Sequence, residues 1–409
     1  MRRKLNVKLV ASFLAGLLCA SGAVHFLHGY QLQRNAYRLL ELGDRAVEEN
    51  DDVKALTCYS QYLNFLPNDA DTVQKYAQVL DRHAATGADR VRLILLMEQV
   101  LRVKPNEHPL RFRLVHHLIA LERHSEAIDN LKKLQSHWTD KAEVLHMLGC
   151  CQEAKKEYTQ AVASFEAAIL INPKQIRSYT LLAEVLQDRL NLPDEAQKAM
   201  DDLVRANPDT YQAYLSRARF RRRRGNDEAA ESDLQVAYKL GHDKPEVILE
   251  VADAARGRGN WEEAVKLLKE GMTRFPDHAD FNKEMAWVKI LSEERAEAIR
   301  HLEDGLRQTP KSNELAILLI DLLIDQQHYQ AAREKIGDLL KAGLKPTLPN
   351  YLEARLAIAD QQWNEAIKLL ESVRQELGPS SEWNSRVHVL LGLSYRQIGA
   401  RDPLEPPGP

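Results

Sequence analysis

The chain has 409 residues, of which 44% are apolar, 28% charged and 6% aromatic. Its 56 lysines and arginines nearly balance 59 aspartates and glutamates, and the net charge of −3 argues against nucleic acid as a partner. Four cysteines form no disulfide framework in a chain of this length. The adjacent Cys150 and Cys151 are expected to act as small apolar side chains of a helix.

The N-terminal segment, residues 1–32, is predicted to be a membrane anchor or a signal segment. A basic start precedes an apolar stretch of nineteen residues from Leu9 to Leu27. As a helix this stretch would be about 28 Å long, which just spans the hydrocarbon core of a bilayer. Its main apolar side chains are Leu9, Val10, Phe13, Leu14, Leu17, Leu18, Phe26 and Leu27.

Two fates of this segment remain open. The basic start would orient an uncleaved anchor with its N-terminus in the cytoplasm. A cleaved secretory signal is the alternative, since Ala20, Ser21, Gly22 and Ala23 offer small residues at cleavage-site spacing. The predicted location is therefore a bacterial cell membrane, single-pass and with the rest of the chain outside the cytoplasm, or the periplasm or medium after cleavage.

Residues 33–398 contain an alanine that recurs every 34 residues, with one gap of 35. The positions are Ala127, Ala161, Ala196, Ala230, Ala264, Ala298, Ala332 and Ala366. A stack of identical supersecondary units requires such a period, because each unit buries its apolar face only against its neighbours. Each period contains two amphipathic helices. About ten helix pairs and a final helix from about Ser385 to Ile398 are predicted.

The clearest copy runs from about residue 141 to residue 174. Its first helix carries Gly149, and its second carries Ala161, Phe165 and Ala168 before it ends at Pro173. Small residues allow the helices to approach closely, and the proline cannot continue a helix. Further repeat positions are Gly43, Ala55, Ala196, Ala230, Ala264, Ala298, Ala332, Ala366 and Gly392.

This pattern resembles the tetratricopeptide repeat family, whose 34-residue unit has a small residue in each helix and a closing proline. The resemblance covers roughly residues 36–398. It implies an all-α fold, a right-handed solenoid of helix-turn-helix repeats, here preceded by the single transmembrane or signal helix. In that family the first helices line a concave groove in which peptides or partner helices dock, so other proteins or peptides are the expected partners.

An unusual run of six arginines lies within residues 217–224. Arg219, Arg222 and Arg223 have a spacing that could direct them into the groove, where guanidinium groups would bind carboxylate or phosphate. Alternatively, acidic residues of neighbouring helices neutralise the run. The candidates are Glu228, Glu231 and Asp233 in the facing helix and Glu184 and Asp188 in the preceding copy.

Two further groove residues are predicted on a later first helix. Lys283 is a candidate contact for a peptide. Trp287, one turn further along, is either a hydrophobic anchor of the groove or a packed core residue.

Motifs for catalysis and cofactor binding are missing from the sequence. It contains no GxGxxG, GxxxxGK[ST], HExxH or CxxC pattern. His116 and His117 are adjacent, and adjacent helix residues point to different faces. We therefore predict no catalytic residue, no cofactor and no metal, and we do not expect an enzyme.

The final helix differs from a typical end cap, whose outer face is polar. Val387, Val389, Leu391 and Leu393 spread apolar character around it. Either a partner or another copy covers this end, or the coding sequence is truncated relative to longer relatives. Residues 399–409 are predicted to be a Pro-rich disordered tail.

Taken together, these features predict a membrane-tethered scaffold or adaptor for protein–protein interaction on the extracytoplasmic side, with no catalytic activity. A cleaved secreted or periplasmic adaptor is one alternative. Another is a regulatory or assembly subunit of a membrane enzyme complex.

Overall fold

The computed structural model describes residues 34–83, 86–310, 312–341, 347–377 and 383–399. Every regular element in these ranges is a helix, which confirms the all-α prediction. The chain divides into two compact units, Met1–Asn207 and Pro208–Pro409, which are described separately.

The described part of the first unit consists of five consecutive helix pairs. Helix α1 covers 34–48, and the others are α2 (Asp52–Phe65), α3 (Ala70–Asp81), α4 (Gly87–Val103), α5 (His108–Ala120), α6 (His124–Leu134), α7 (Lys141–Ala154), α8 (Tyr158–Ile171), α9 (Ile176–Glu184) and α10 (Pro193–Ala206). Each helix packs against the next along the chain, so the apolar core runs between successive pairs.

In the second unit, five helix pairs precede a single last helix. They are α11 (Tyr211–Arg223), α12 (Asp227–Gly241), α13 (Pro245–Gly257), α14 (Trp261–Arg274), α15 (Asp280–Leu291), α16 (Arg295–Gln308), α17 (Asn313–Asp325), α18 (Tyr329–Lys341), α19 (Thr347–Ala359), α20 (Trp363–Glu376) and α21 (Trp383–Gln397). Here too sequential helices are in contact.

One small residue and one large residue set the distance between the helices of a pair. In α7, a Cβ added at Gly149 would lie 2.6 Å from Cε1 of Phe165 in α8. A Cβ added at Gly43 would lie 2.6 Å from Cε1 of Tyr59. These distances are shorter than van der Waals contact, so the aromatic ring occupies the space that a side chain at the glycine would need.

Other pairs use a less extreme combination at the same register. Phe165 follows Gly149 by sixteen residues. In later pairs the first helix has an alanine at the position of Gly149, and the residue sixteen positions after it is a leucine. These combinations are Ala218 with Leu234, Ala252 with Leu268, Ala286 with Leu302, and Ala354 with Leu370. All eight side chains are at most 1% exposed. Glycine thus accompanies an aromatic ring, and alanine accompanies leucine.

The turns inside nine of the ten pairs share a geometry that the sequence did not predict. The residues with positive φ at these turns are Asn50, Glu122, Lys156, Asn191, Gly225, Gly259, Glu293, Gln327 and Gln361. After Gly259, for example, the backbone N–H of Asn260 donates to the carbonyl of Ala255 at 2.9 Å. This is the hydrogen bond of a Schellman motif, which satisfies a carbonyl at the end of the first helix.

A π turn accounts for the single 35-residue gap in the alanine period. The turn covers Val185–Arg189 at the end of α9, and within it the N–H of Leu190 donates to the carbonyl of Val185 at 3.1 Å. The turn that follows is closed by a hydrogen bond from the N–H of Leu192 to the carbonyl of Leu186, six residues earlier. The corresponding hydrogen bond in the other pairs that share this geometry reaches back five residues. Since a π turn inserts one residue into an α-helix, the later pairs keep their register.

The predicted repeat positions are mostly buried. The alanines Ala55, Ala161, Ala168, Ala196, Ala230, Ala264, Ala298, Ala332 and Ala366 are at most 1% exposed. Pro173 is exposed in the turn that follows α8. At Gly392 in α21, a Cβ would meet nothing within 4 Å among the described residues.

The predicted anchor falls within residues 1–33, outside the described residues. Among the helices that the structure does describe, none combines the length and apolar character needed to span a bilayer.

Gly149→Ala is expected to lower the free energy of unfolding by about 1–3 kcal/mol, because its Cβ would overlap the Phe165 ring. Adding Phe165→Leu should recover part of this loss, since alanine with leucine is the combination that other pairs use. Denaturant unfolding of the single and double variants measures the coupling.

Gly337→Ala is the matched control, because a Cβ at this position in α18 meets nothing within 4 Å. This change should leave stability unchanged or raise it by up to about 1 kcal/mol through helix propensity. Strictly additive effects of the 149 and 165 substitutions would contradict the proposed register.

Candidate functional site

Helix α11 carries the arginine run, and two of its arginines hold a buried carboxylate. Arg217 donates from Nε and Nη2 to the two oxygens of Asp233 in α12, at 2.9 and 2.6 Å. Arg221 donates from Nη1 to Asp233 Oδ2 at 2.7 Å. Asp233 is only 3% exposed. These two arginines therefore join the helices of their own pair, and their role is structural.

Two of the predicted ligand-binding arginines face the next first helix. Arg219 contacts Glu250 of α13, with Nη2 at 2.6 Å from Oε2. Nη1 of Arg222 lies 2.9 Å from Asp253 Oδ2 and 3.4 Å from Glu250 Oε1. The side chain of Arg219 is nevertheless 54% exposed, against 28% for Arg222. Arg219 is therefore the more accessible of the two to a ligand.

Asp233, Glu250 and Asp253 neutralise arginines of the run, and of these three only Asp233 was expected from the sequence. Asp233 takes the predicted role, but Glu231 is paired with Arg258 and not with an arginine of α11. Glu250 and Asp253, which the sequence analysis did not consider, are the partners of Arg219 and Arg222.

Ion pairs between neighbouring first helices recur at a separation of 31 residues. Three of them in the second unit are Arg219 with Glu250, Arg222 with Asp253, and Lys283 with Glu314. The first unit contains one at the same separation, Lys75 with Asp44. A separation of 31 residues equals one 34-residue repeat minus about one helical turn. The paired side chains therefore lie on facing sides of adjacent first helices. A search for opposite charges at this spacing would have found them.

The remaining candidates lie at the end of α11 and on α15. Arg223 is exposed. Lys283 Nζ lies 3.4 Å from Asp280 Oδ1 and 3.3 Å from Glu314 Oε1. Trp287 is 38% exposed, so its ring is neither fully packed nor fully free. Helix α13 contacts both α11 and α15, which places all five candidates on one series of first helices.

A largely buried carboxylate, Glu284, also lies on α15, and the sequence analysis missed it. Burial raises its pKa, and the nearby Arg256 opposes this rise with Nε at 3.6 Å from Glu284 Oε2. Both of these atoms are buried without a hydrogen-bond partner among the described residues. The two groups therefore form an ion pair without a hydrogen bond between these atoms.

The described residues contain neither a cluster of metal-ligand side chains nor a cysteine with a lowered thiol pKa. No group of three or more His, Cys, Asp or Glu side chains there could hold a metal ion. Burial raises the pKa of Cys150 to about 11 and that of Cys151 to about 12. Both thiols therefore stay protonated at neutral pH. Cys151 is buried among apolar side chains, as the sequence predicts, whereas Cys150 contacts Nε2 of His146 at 3.7 Å.

Three segments of the chain match family models of the tetratricopeptide repeat. They are residues 142–175, 181–245 and 255–313. The resemblance inferred from the 34-residue period is confirmed in these segments.

Solved structures of similar proteins include the crystal structure of yeast Tom70. It has a TM-score of 0.50 and 13% identity, over 90% of this chain and 97% of that chain. A tetratricopeptide repeat protein from Parabacteroides merdae has a TM-score of 0.42 and 14% identity, over 70% and 98%. PilF from Pseudomonas aeruginosa has a TM-score of 0.40 and 18% identity, over 55% and 96%. The likeness to Tom70 shows a shared fold.

A comparison with curated proteins found no match.

Arg217→Ala should lower the free energy of unfolding by about 3 kcal/mol, because it leaves the buried Asp233 carboxylate with one guanidinium partner fewer. Arg219→Ala removes a half-exposed ion pair and should cost less than about 1 kcal/mol. Urea unfolding of the two variants checks this order, and equal losses would refute the structural assignment of Arg217.

Proposed function

We propose that this chain, which matches tetratricopeptide-repeat models in three segments, is a protein–protein interaction scaffold with no catalytic activity of its own. The observation that carries the proposal is the surface formed by α11, α13 and α15. It presents a half-exposed arginine and a half-exposed tryptophan on a rigid series of first helices. Aromatic and arginine side chains are the residue types that most often dominate the energy of protein interfaces.

The exposed groups of this surface suggest the chemistry of the partner. Arg219 offers guanidinium N–H donors that Glu250 engages only from one side, so a partner carboxylate can share the group. Trp287 offers an apolar face. The proposed partner is therefore a polypeptide segment that carries an acidic side chain and an apolar side chain.

The distance between these two groups limits the length of the segment. Helix α13 lies between α11 and α15, and neighbouring helix axes are about 8–10 Å apart. Arg219 and Trp287 are then separated by roughly 20 Å, which an extended chain covers in about six residues. Lys283 lies one turn from Trp287 on the same helix and would contact the same segment.

We also propose that the N-terminal segment tethers the scaffold to a membrane, with the repeats on the extracytoplasmic side. This proposal is supported by the apolar stretch from Leu9 to Leu27 and the basic residues before it. A secreted or periplasmic adaptor would follow if the segment were cleaved near Gly22.

Site-specific photo-crosslinking in cells tests the binding surface. A photoreactive phenylalanine analogue in place of Arg219 or Trp287 should form adducts with a partner protein, because both positions are half-exposed on the proposed surface. The matched control is Arg307 on the second helix α16, which is more exposed, with 75% of its side chain accessible. Adducts of equal yield from position 307, or none from 219 and 287, would refute the proposed surface.

Protease accessibility tests the topology. In intact spheroplasts, added protease should degrade the repeats, whereas in inside-out vesicles the repeats should be protected. Mass spectrometry of the N-terminus distinguishes anchor from signal, since an intact N-terminus excludes cleavage. Repeats that are protected in spheroplasts and degraded in inside-out vesicles would place them on the opposite side.

A further inference from the structure

The C-terminal end of α8 exposes a leucine where the other repeats have polar residues. Leu170 is 83% exposed, and it lies nine residues after the repeat alanine Ala161. The residues at the same position in other repeats are Ser136, Arg205, Lys239, Thr273, Arg307, Lys341 and Gln375. An isolated exposed leucine is ordinary, but a leucine at a position that is otherwise polar throughout the chain is unusual.

Leu170 forms the wall of an apolar groove in the first unit. The groove has a volume of about 530 Å³ and lies between the second helices α8 and α10. Its floor consists of Tyr179, Leu182 and Leu186 of α9 and its π turn, all at most 5% exposed. The three floor residues follow a helical spacing, so they present one continuous apolar face.

A groove at the corresponding position in the second unit shows which properties are specific to the groove in the first unit. It lies over Leu319, which corresponds to Leu182, and has a volume of about 250 Å³. Arg307 occupies the place of Leu170, and Lys335 occupies the place of the small Ala199 in α10. Both replacements put a long charged side chain beside the floor. The groove in the first unit is therefore larger and more apolar because of its own residues, and not because of the repeat fold.

The charges at the rim are mainly negative. Glu166, Glu195 and Asp202 line the groove together with one cation, Lys198. Asp202 is paired with Arg205, but Glu166 and Glu195 form no ion pair with any described residue. Two exposed carboxylates beside an apolar floor complement a segment that carries both apolar and basic side chains.

We propose that the groove between α8 and α10 is a docking site for a polypeptide segment that presents aliphatic or aromatic side chains flanked by lysine or arginine. The volume accommodates a few large apolar side chains, which would cover Leu170 and the α9 floor. The flanking cations would face Glu166 and Glu195. This site is independent of the α11–α15 surface, since it lies on other helices and selects the opposite charge.

Binding of two designed peptides to the full-length chain tests this site. The first is a helical peptide of about four turns with leucines along one face and lysines beside them, and the second has glutamate in place of every lysine. Fluorescence anisotropy should show saturable binding of the lysine peptide, with an affinity at least about tenfold higher than that of the glutamate peptide. Absence of binding, or preference for the glutamate peptide, would overturn the proposal.

Leu170→Arg should weaken binding of the lysine peptide about tenfold to a hundredfold, because the leucine surface can no longer be covered. The variant should fold normally, since arginine occupies this position in two other repeats. Thr273→Arg is the matched control, because it adds the same charge at the corresponding position of α14. If both substitutions weakened peptide binding equally, the effect would be general charge repulsion, and the proposed docking site would be refuted.

A third measurement distinguishes a second copy of the chain as the occupant. Analytical ultracentrifugation of the wild type and of Leu170→Arg should show the same mass for both. A dimer that dissociates in the variant would mean that the groove is filled by another copy, which would overturn the proposed basic segment.

Discussion

In most of the helix pairs, a large side chain fills the space left by a small one in the opposite helix. Where the first helix has Gly149, the second places the ring of Phe165 within 2.6 Å of the missing Cβ. Because interiors are closely packed, this contact sets the distance between the two helices. The next pair packs on them in turn, so the surface that α11, α13 and α15 present depends on the same contact repeated.

The sequence was sufficient to predict the helix pairs, because an apolar stripe and a fixed period are properties of the chain itself. The turn geometry was not predictable in the same way. Glu122, Lys156 and Glu293 have positive φ without being glycine, since the Schellman hydrogen bond holds them there. The extra residue was visible as a gap of 35, but its location in a π turn depends on backbone hydrogen bonds that carry no residue signature.

The candidate site was predicted less completely than the fold. The arginine run is correctly placed on a first helix, but Arg219 and Arg222 pair with Glu250 and Asp253 of the next first helix. That pairing depends on how adjacent repeats are offset, which a single repeat does not reveal. Leu170 was missed for another reason: within one helix it continues an apolar pattern, and it is unusual only when the repeats are compared position by position.

The π turn in α9 has a consequence for how such an array changes over evolution. Val185–Arg189 accommodates an additional residue inside a helix, and the next alanine-to-alanine spacing returns to 34. A single-codon insertion is therefore absorbed locally and does not shift the phase of later units. Repeats of unequal length can in this way be duplicated, exchanged or diversified within one gene while each remains compatible with its neighbours.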